Sequence, residues 1–297
     1  MRKKWRSNQL KVNIYAWLLL LPSFIFLFLF TYLPIFQTLS LSFYRADLSI
    51  AEPIFTGLEN FRLLMEDKVF WKVMTNNAIF ALGTIPLSVG IGLIMALMVN
   101  RAIRGIGWVR TFFFYPVVIP MIAIANIWLF IYTPSYGLIN QVLGFLQLPD
   151  INWLGSTSTV MIAMIIMVVW KEAGFFMIFY LAGLQNISKE LSESAKIDGA
   201  SSLMIFRKIT FPLLMPTTLF VLIIAVTNSF KLVDHLVIMT QGGPNNASNL
   251  LLYYIYETAF SYWDQGYAAT LTVVLLVMML VFAVWQFFGL DRKIHYS

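Results

Sequence analysis

The chain has no cysteine among its 297 residues, which excludes disulfide bridges, thiol nucleophiles and Cys-ligated metal sites. Histidine is almost missing too. His235 and His295 are far apart in sequence and one sits in the tail, so no His-based metal site is expected. Charge is scarce, at 11% of residues against about a quarter in a soluble domain. There is no Gly-Lys dipeptide, so a Walker A loop and P-loop binding of ATP are excluded. No grouping of nucleophile, base and orienting residue stands out, so no catalytic residue is assigned and an enzyme is the least favoured class. The sequence shows no internal repeat and no low-complexity segment.

What is present is apolar. Hydrophobic residues make up 60% of the chain, which places it in the class of all-α, polytopic integral membrane proteins. A bilayer core of about 30 Å takes roughly 20 apolar residues as helix. Six segments qualify, at about 14–36, 74–99, 111–132, 159–182, 211–232 and 267–289, and residues 1–297 read as a single transmembrane domain. The first segment is too long for the core of a secretion signal and no small-residue cleavage pattern follows it, so it reads as a retained helix. Pro86, Pro116, Pro120 and Pro216 lie in or near spans, where neighbouring groups can satisfy the freed backbone.

Charge distribution sets the orientation. Arg2, Lys3, Lys4, Arg6, Lys11, Arg101, Arg104, Arg110, Lys189, Lys196, Arg207, Lys208, Arg292 and Lys293 fall on one side. Arg45, Arg62, Lys68, Lys72 and Lys231 fall on the other, with nine of the fourteen acids. The positive-inside rule puts both termini in the cytoplasm. The net charge of +6 then reflects topology, and no nucleic acid is expected as a partner beside membrane lipid.

In the first outer loop, Phe61, Leu64, Met65, Val69 and Phe70 interleave with Arg62, Glu66, Asp67 and Lys68, a spacing that suits an interfacial amphipathic helix. Trp71 and Trp153 fit the interfacial aromatic belt. Residues 133–158 read as turns and irregular structure, and Thr240-Gln-Gly-Gly-Pro244 as a sharp turn.

One cytoplasmic segment is unusually polar. Ser188 suits the N-cap of a helix from Lys189, Asp198-Gly199 supplies a stop, and Ser201 or Ser202 suits the cap of a second short helix carrying Leu203, Phe206 and Ile209. The segment 188–210 is therefore a hairpin of two short helices joined at Gly199. It either docks in a groove of a soluble partner or merely caps the bundle, and spacing alone does not choose.

The residues Glu193-Ser-Ala195-Lys-Ile-Asp198-Gly199, nine residues, then Ile209-Thr-Phe211-Pro212, resemble the EAA loop of permease subunits of binding-protein-dependent ABC importers. Ser194 and Phe211 depart from the usual alanine and leucine. The resemblance implies that Glu193, Ala195, Asp198, Gly199, Ile209 and Pro212 couple the chain to an ATPase. Phe55-Thr-Gly57-Leu-Glu-Asn60-Phe61, Leu181-Ala-Gly-Leu-Gln185 and Gly242-Gly-Pro244 are similar to the carbohydrate-uptake class, specifically the first maltose-type or glycerol-phosphate-type permease. The implied partners are a second homologous permease, two ATPase subunits that carry the ATP and Mg, and an extracellular or periplasmic sugar-binding protein. This chain would bind no cofactor itself and would sit in the bacterial cytoplasmic membrane.

Lys171 and Glu172 are the chief intramembrane charges. Each should face a cavity or partner helices, since burial in lipid costs several kcal/mol. The resemblance places sugar-contacting positions at Val168, Lys171, Glu172 and Phe175, and at Ala225, Asn228, Ser229 and Leu232. Lys171, Glu172, Phe175, Asn228 and Ser229 are the candidate substrate path, with a basic Lys171 suited to an anionic sugar. The implied function is passage of an oligosaccharide or related carbohydrate by alternating access. The alternative from another class is an ion-coupled secondary transporter with Lys171 and Glu172 as its relay. A membrane scaffold would explain neither the charges nor the hairpin.

Overall fold

The computed structural model describes residues 2–100 and 104–290. Arg101, Arg292, Lys293 and His295, named above, lie outside the described residues. The chain divides into two compact units. One comprises the chain up to Met65 together with Thr258–Val274, and the other comprises Glu66–Glu257 and the chain from Leu275 onward.

The first unit opens with α1 (Arg2–Leu27), a π turn at Phe28–Tyr32, and α2 (Leu33–Leu41). The π turn has a local cause. Pro34 has no N–H for the preceding turn, and the Leu33 N–H reaches back five residues to the Phe28 carbonyl instead. A small antiparallel pair follows, β1 (Tyr44–Arg45) with β2 (Ile54–Phe55), Tyr44 facing Phe55. Asn60, at the start of α3 (Glu59–Glu66), ties this pair down: its amide donates to the Ser42 and Tyr44 carbonyls at 3.0 and 2.9 Å. Gly57 has φ +64°, a left-handed conformation that an L side chain disfavours. The Phe55–Phe61 motif is thus a backbone clamp. The expected amphipathic helix over 61–70 is instead two helices, because Asp67 accepts from the Val69 N–H and caps a new one.

That new helix is α4 (Lys68–Val99), the long pillar of the second unit. It is followed by α5 (Ile106–Val118), α6 (Met121–Ile131), α7 (Leu138–Phe145) and α8 (Val160–Gln185). The segment expected as one span at 111–132 is α5 and α6 meeting at 99°. Pro120 is the reason: it drives Ile119 into an extended conformation (φ −75°, ψ 130°) and ends the helix. The loop expected to be irregular at 133–158 contains α7, held by Asn140, which bonds both the Ile151 backbone and the Trp153 indole.

The hairpin comprises α9 (Lys189–Ile197) and α10 (Ser202–Ile205), then a π turn at Phe206–Thr210 and α11 (Phe211–Leu213). Again a proline, Pro212, follows the π turn. α12 (Met215–Lys231), α13 (Asp234–Met239), α14 (Leu251–Phe260) and α15 (Gln265–Leu290) complete the order. Among the described residues, five helices are long and apolar enough to cross a membrane, or six if α5 and α6 form one bent span.

The second unit is built on α4 against α8. Small residues let the backbones approach: a Cβ at Gly92 would sit 2.9 Å from the Phe176 Cβ and 3.0 Å from the Ala173 carbonyl. At the other end of α4, Lys72 donates to the Asn245 carbonyl at 2.6 Å and Asn76 to those of Asn246 and Asn249 at 2.8 and 2.9 Å. These bonds fix the Gly242–Gly243–Pro244 turn, whose Gly243–Pro244 peptide is cis.

Candidate functional site

Lys171 and Glu172 sit side by side on α8, and adjacent helical residues point about 100° apart. The structure sends them to different neighbours. The Glu172 carboxylate accepts from the Asn228 amide of α12 at 2.8 Å. Around this bond lie Thr84 and Ser88 of α4, Val168 and Phe176 of α8, and Ala225, Ser229 and Leu232. They enclose a cavity of about 10 Å³, room for one water at most. The hydroxyls of Thr84, Ser88 and Ser229 donate to carbonyls of their own helices at 2.6 to 2.8 Å, so each keeps only acceptor capacity for a ligand. One carboxylate, one amide and three hydroxyls are a suitable set for a hydroxyl-rich ligand once the walls separate.

Glu172, Asn228 and Ser229 are therefore brought together, along with Val168, Ala225 and Leu232. Lys171 and Phe175 do not line the cavity. Phe175 packs edge-on against Phe179 at 5.0 Å, which in turn meets Phe220 at 5.3 Å. The Lys171 ammonium donates to three backbone carbonyls at the end of α5: Ile119 at 2.8 Å, Pro116 at 3.2 Å and Val117 at 3.5 Å. Of the two expectations for Lys171, a cavity or a neighbouring helix, this geometry shows the helix contact. Thr84 and Ser88 were not singled out from sequence, although two hydroxyls at i, i+4 in an apolar span are a readable signal. His235 was also unassigned. It is fully buried and stacked on Phe80 at 5.9 Å, with neither ring nitrogen bonded to a protein group.

At the far end of α8 stands the hairpin. The Ser188 hydroxyl accepts from the Glu190 N–H and the Ser201 hydroxyl from the Met204 N–H, so both short helices carry side-chain N-caps. Between them Gly199 has φ +80°, and its N–H and that of Ala200 close the α9 C-terminus on Lys196 and Ala195. Of the expected apolar face, Phe206 and Ile209 are half-buried and Leu203 is two-thirds exposed, while Ile205 is the buried residue. Leu191, Ile197 and Met204 are exposed as well. Glu193, Asp198 and Gly199 are exposed, Ala195 and Ile209 are half-buried, and Pro212 is exposed in α11. Behind the hairpin is an open cleft of about 900 Å³, lined in part by Arg110, Lys189, Glu190, Glu193 and Lys196.

The chain is similar to known membrane transport proteins. Residues 88–295 match the model of the binding-protein-dependent transport system inner membrane component family, a stretch that contains the hairpin, Glu172, Asn228 and Ser229 but not Thr84. The chain belongs to this family. It is accordingly an inner-membrane permease of a transport system that depends on a separate binding protein. The chain is 35% identical to a probable ABC transporter permease protein, YurN, of Bacillus subtilis, over 94% of this chain and 96% of that protein. It is 32% identical to the trehalose/maltose transport system permease protein MalF of Thermococcus litoralis, over 91% of each. It is 31% identical to the sn-glycerol-3-phosphate transport system permease protein UgpA of Agrobacterium fabrum, over 96% of this chain and 97% of that one. Among solved structures, a chain of a bacterial ABC transporter that imports the acidic polysaccharide alginate has the same fold. Its TM-score is 0.83 at 23% identity, covering 98% of this chain and 99% of that one.

Proposed function

We propose that this permease is one of two homologous membrane subunits of an ATP-driven carbohydrate importer, lying in the membrane with both termini and the hairpin in the cytoplasm. Residues 1–297 act as one transmembrane domain. Two separate ATPase subunits bind ATP and Mg and hold the hairpin, and a binding protein outside delivers the cargo. The cargo class follows from relatives whose named substrates are trehalose/maltose, lactose, starch degradation products and sn-glycerol 3-phosphate.

The hairpin carries this reading. It displays Leu191, Ile197, Leu203 and Met204 to solvent on a capped, rigid frame, with Glu193, Ala195, Asp198, Gly199, Ile209 and Pro212 in the pattern of an ATPase-coupling loop. Exposed apolar residues rimmed by charge suit insertion into a groove of a soluble protein. When the ATPases close, the hairpin moves with them, and α8 and α12 separate at the Glu172–Asn228 bond. Glu172, Asn228 and Ser229 then meet the hydroxyls of the cargo, with Phe175 at the next turn of α8. The ion-coupled alternative loses its relay, since Lys171 and Glu172 are directed to separate partners.

The test uses the intact complex, purified on this chain and reconstituted with its binding protein. Neutral oligosaccharides, uronic-acid oligosaccharides and glycerol phosphate are screened for stimulation of ATP hydrolysis. One class should stimulate several-fold. Indifference to all of them, with uptake by this chain alone under a proton or sodium gradient, would overturn the reading.

A further inference from the structure

We propose that Lys171 is a positioning residue: its ammonium is the C-terminal cap of the half-helix α5, and it fastens the α5–α6 elbow to α8 rather than binding cargo. The chemistry starts from Pro120. In a continuous helix the Pro116 carbonyl would accept from the N–H of residue 120, and proline has none. Pro120 also holds Ile119 extended, so the chain turns by 99° and takes the following amides out of line with the α5 axis. α6 restarts with the Ile124 N–H on the Pro120 carbonyl, which leaves the carbonyls before it to find other donors. This happens within an apolar stretch, where water is not at hand to serve them.

Lys171 supplies those donors. An ammonium has three N–H groups and no acceptor. Its three carbonyl partners, at 2.8, 3.2 and 3.5 Å, occupy all of them, with Val117 the weakest. A cation at a helix C-terminus also complements the partial negative charge there. The reach is set by a second residue on the same face of α8. Gly174, three residues on, lies so close to α5 that a Cβ would run into the Phe113 carbonyl oxygen. The same device closes α4, where the Arg110 guanidinium donates twice to the Val99 carbonyl, at 2.8 and 3.2 Å.

The neighbouring side chain gives the cap a mechanical meaning, and this step alone rests on the permease reading above. Glu172 bonds to α12, the contact that must part for cargo to pass. Lys171 bonds to α5, so the elbow stays with α8 when α12 leaves. Two adjacent residues thus separate a fixed joint from a moving one.

A double-mutant cycle in the assembled complex tests this, using Lys171→Met and Pro120→Ala. Pro120→Ala restores an N–H to the Pro116 carbonyl and lowers the need for the cap. Lys171→Met should lower the melting temperature by about 5 °C or more in the native background, and by less than half as much in the Pro120→Ala background. Lys171→Arg should retain most of the stability. In uptake, Lys171→Met should reduce the maximal rate and leave the half-saturating cargo concentration unchanged. Equal melting losses in both backgrounds would overturn the cap. So would unchanged melting with a raised half-saturation for anionic cargo only. Should Lys171→Met not accumulate in the membrane, recovery in the double variant supports the cap and its failure overturns it. The melting readout needs no cargo, so an error in the carbohydrate reading leaves it interpretable.

Discussion

Two polar interruptions mark the hydrophobic second half of this chain, the pair Lys171–Glu172 and the hairpin of 188–210, and their polar groups are matched in opposite ways. Inside the membrane each charge ends on groups of the same chain: Lys171 on the α5 carbonyls and Glu172 on the Asn228 amide. In the hairpin, Lys189, Glu190, Glu193 and Lys196 form no ion pair among the described residues, and Leu191, Ile197, Leu203 and Met204 lie open. The solvent explains the difference. An unpaired charge in hydrocarbon costs several kcal/mol, so interior polar groups must be matched within the fold. An unpaired charge in water costs little, so a surface can be left incomplete until a partner arrives. Polar residues of one chain can therefore be sorted by where their partners are: inside the fold for Lys171 and Glu172, and, on the proposed reading, in another subunit for the hairpin.

The sharpest way to break this comparison is at the hairpin. Gly199→Pro removes the left-handed turn, since proline is fixed near φ −65° and Gly199 has φ +80°. Glu193→Lys reverses an exposed charge on the hairpin. Both should abolish coupling, cutting cargo uptake at least tenfold while the protein still inserts, as read by uptake against membrane protein level. Wild-type uptake in both variants would sink the docking role.

Next comes the Glu172–Asn228 bond. Asn228→Leu leaves the Glu172 carboxylate without its amide and should destabilise the complex by roughly 1–3 kcal/mol, whereas the double change Glu172→Leu/Asn228→Leu should recover most of that loss yet still block uptake. A melting series with parallel uptake assays reads both. A similar stability cost of about 1–3 kcal/mol, but with a smaller loss of uptake, is expected from Gly174→Ala, which crowds the Phe113 carbonyl as overpacking and forces α5 and α8 apart. Smallest is Ser201→Ala, which removes the N-cap of α10. It should cost about 1 kcal/mol locally and show as faster amide exchange over Met204 and Ile205 with uptake nearly kept.

Much of this was legible in sequence because it is local. The all-α membrane class follows from apolar segment length, and Ser188, Ser201 and Gly199 mark the hairpin because capping needs only a few neighbouring residues. Pro116 and Pro120 were visible as well, but the 99° elbow was not. How a proline break is accommodated depends on which donor reaches the freed carbonyls, and Lys171 lies some fifty residues further along. For the same reason the sequence left Lys171 between a cargo contact and a helix contact. Thr84 and Ser88 were readable as a hydroxyl pair in an apolar span, but what they face needed α4, α8 and α12 set together, and α7 was masked by the glycine and proline residues that flank it.

The central claim is that the hairpin is finished by a partner, and the absence of cysteine offers a clean way to test it. A single Ile197→Cys places the only thiol of the chain on a side chain that is 86% exposed. Maleimide labelling of this thiol should be fast in the chain alone and slowed at least tenfold in the assembled complex with its ATPases. Equal labelling in the two would contradict the account.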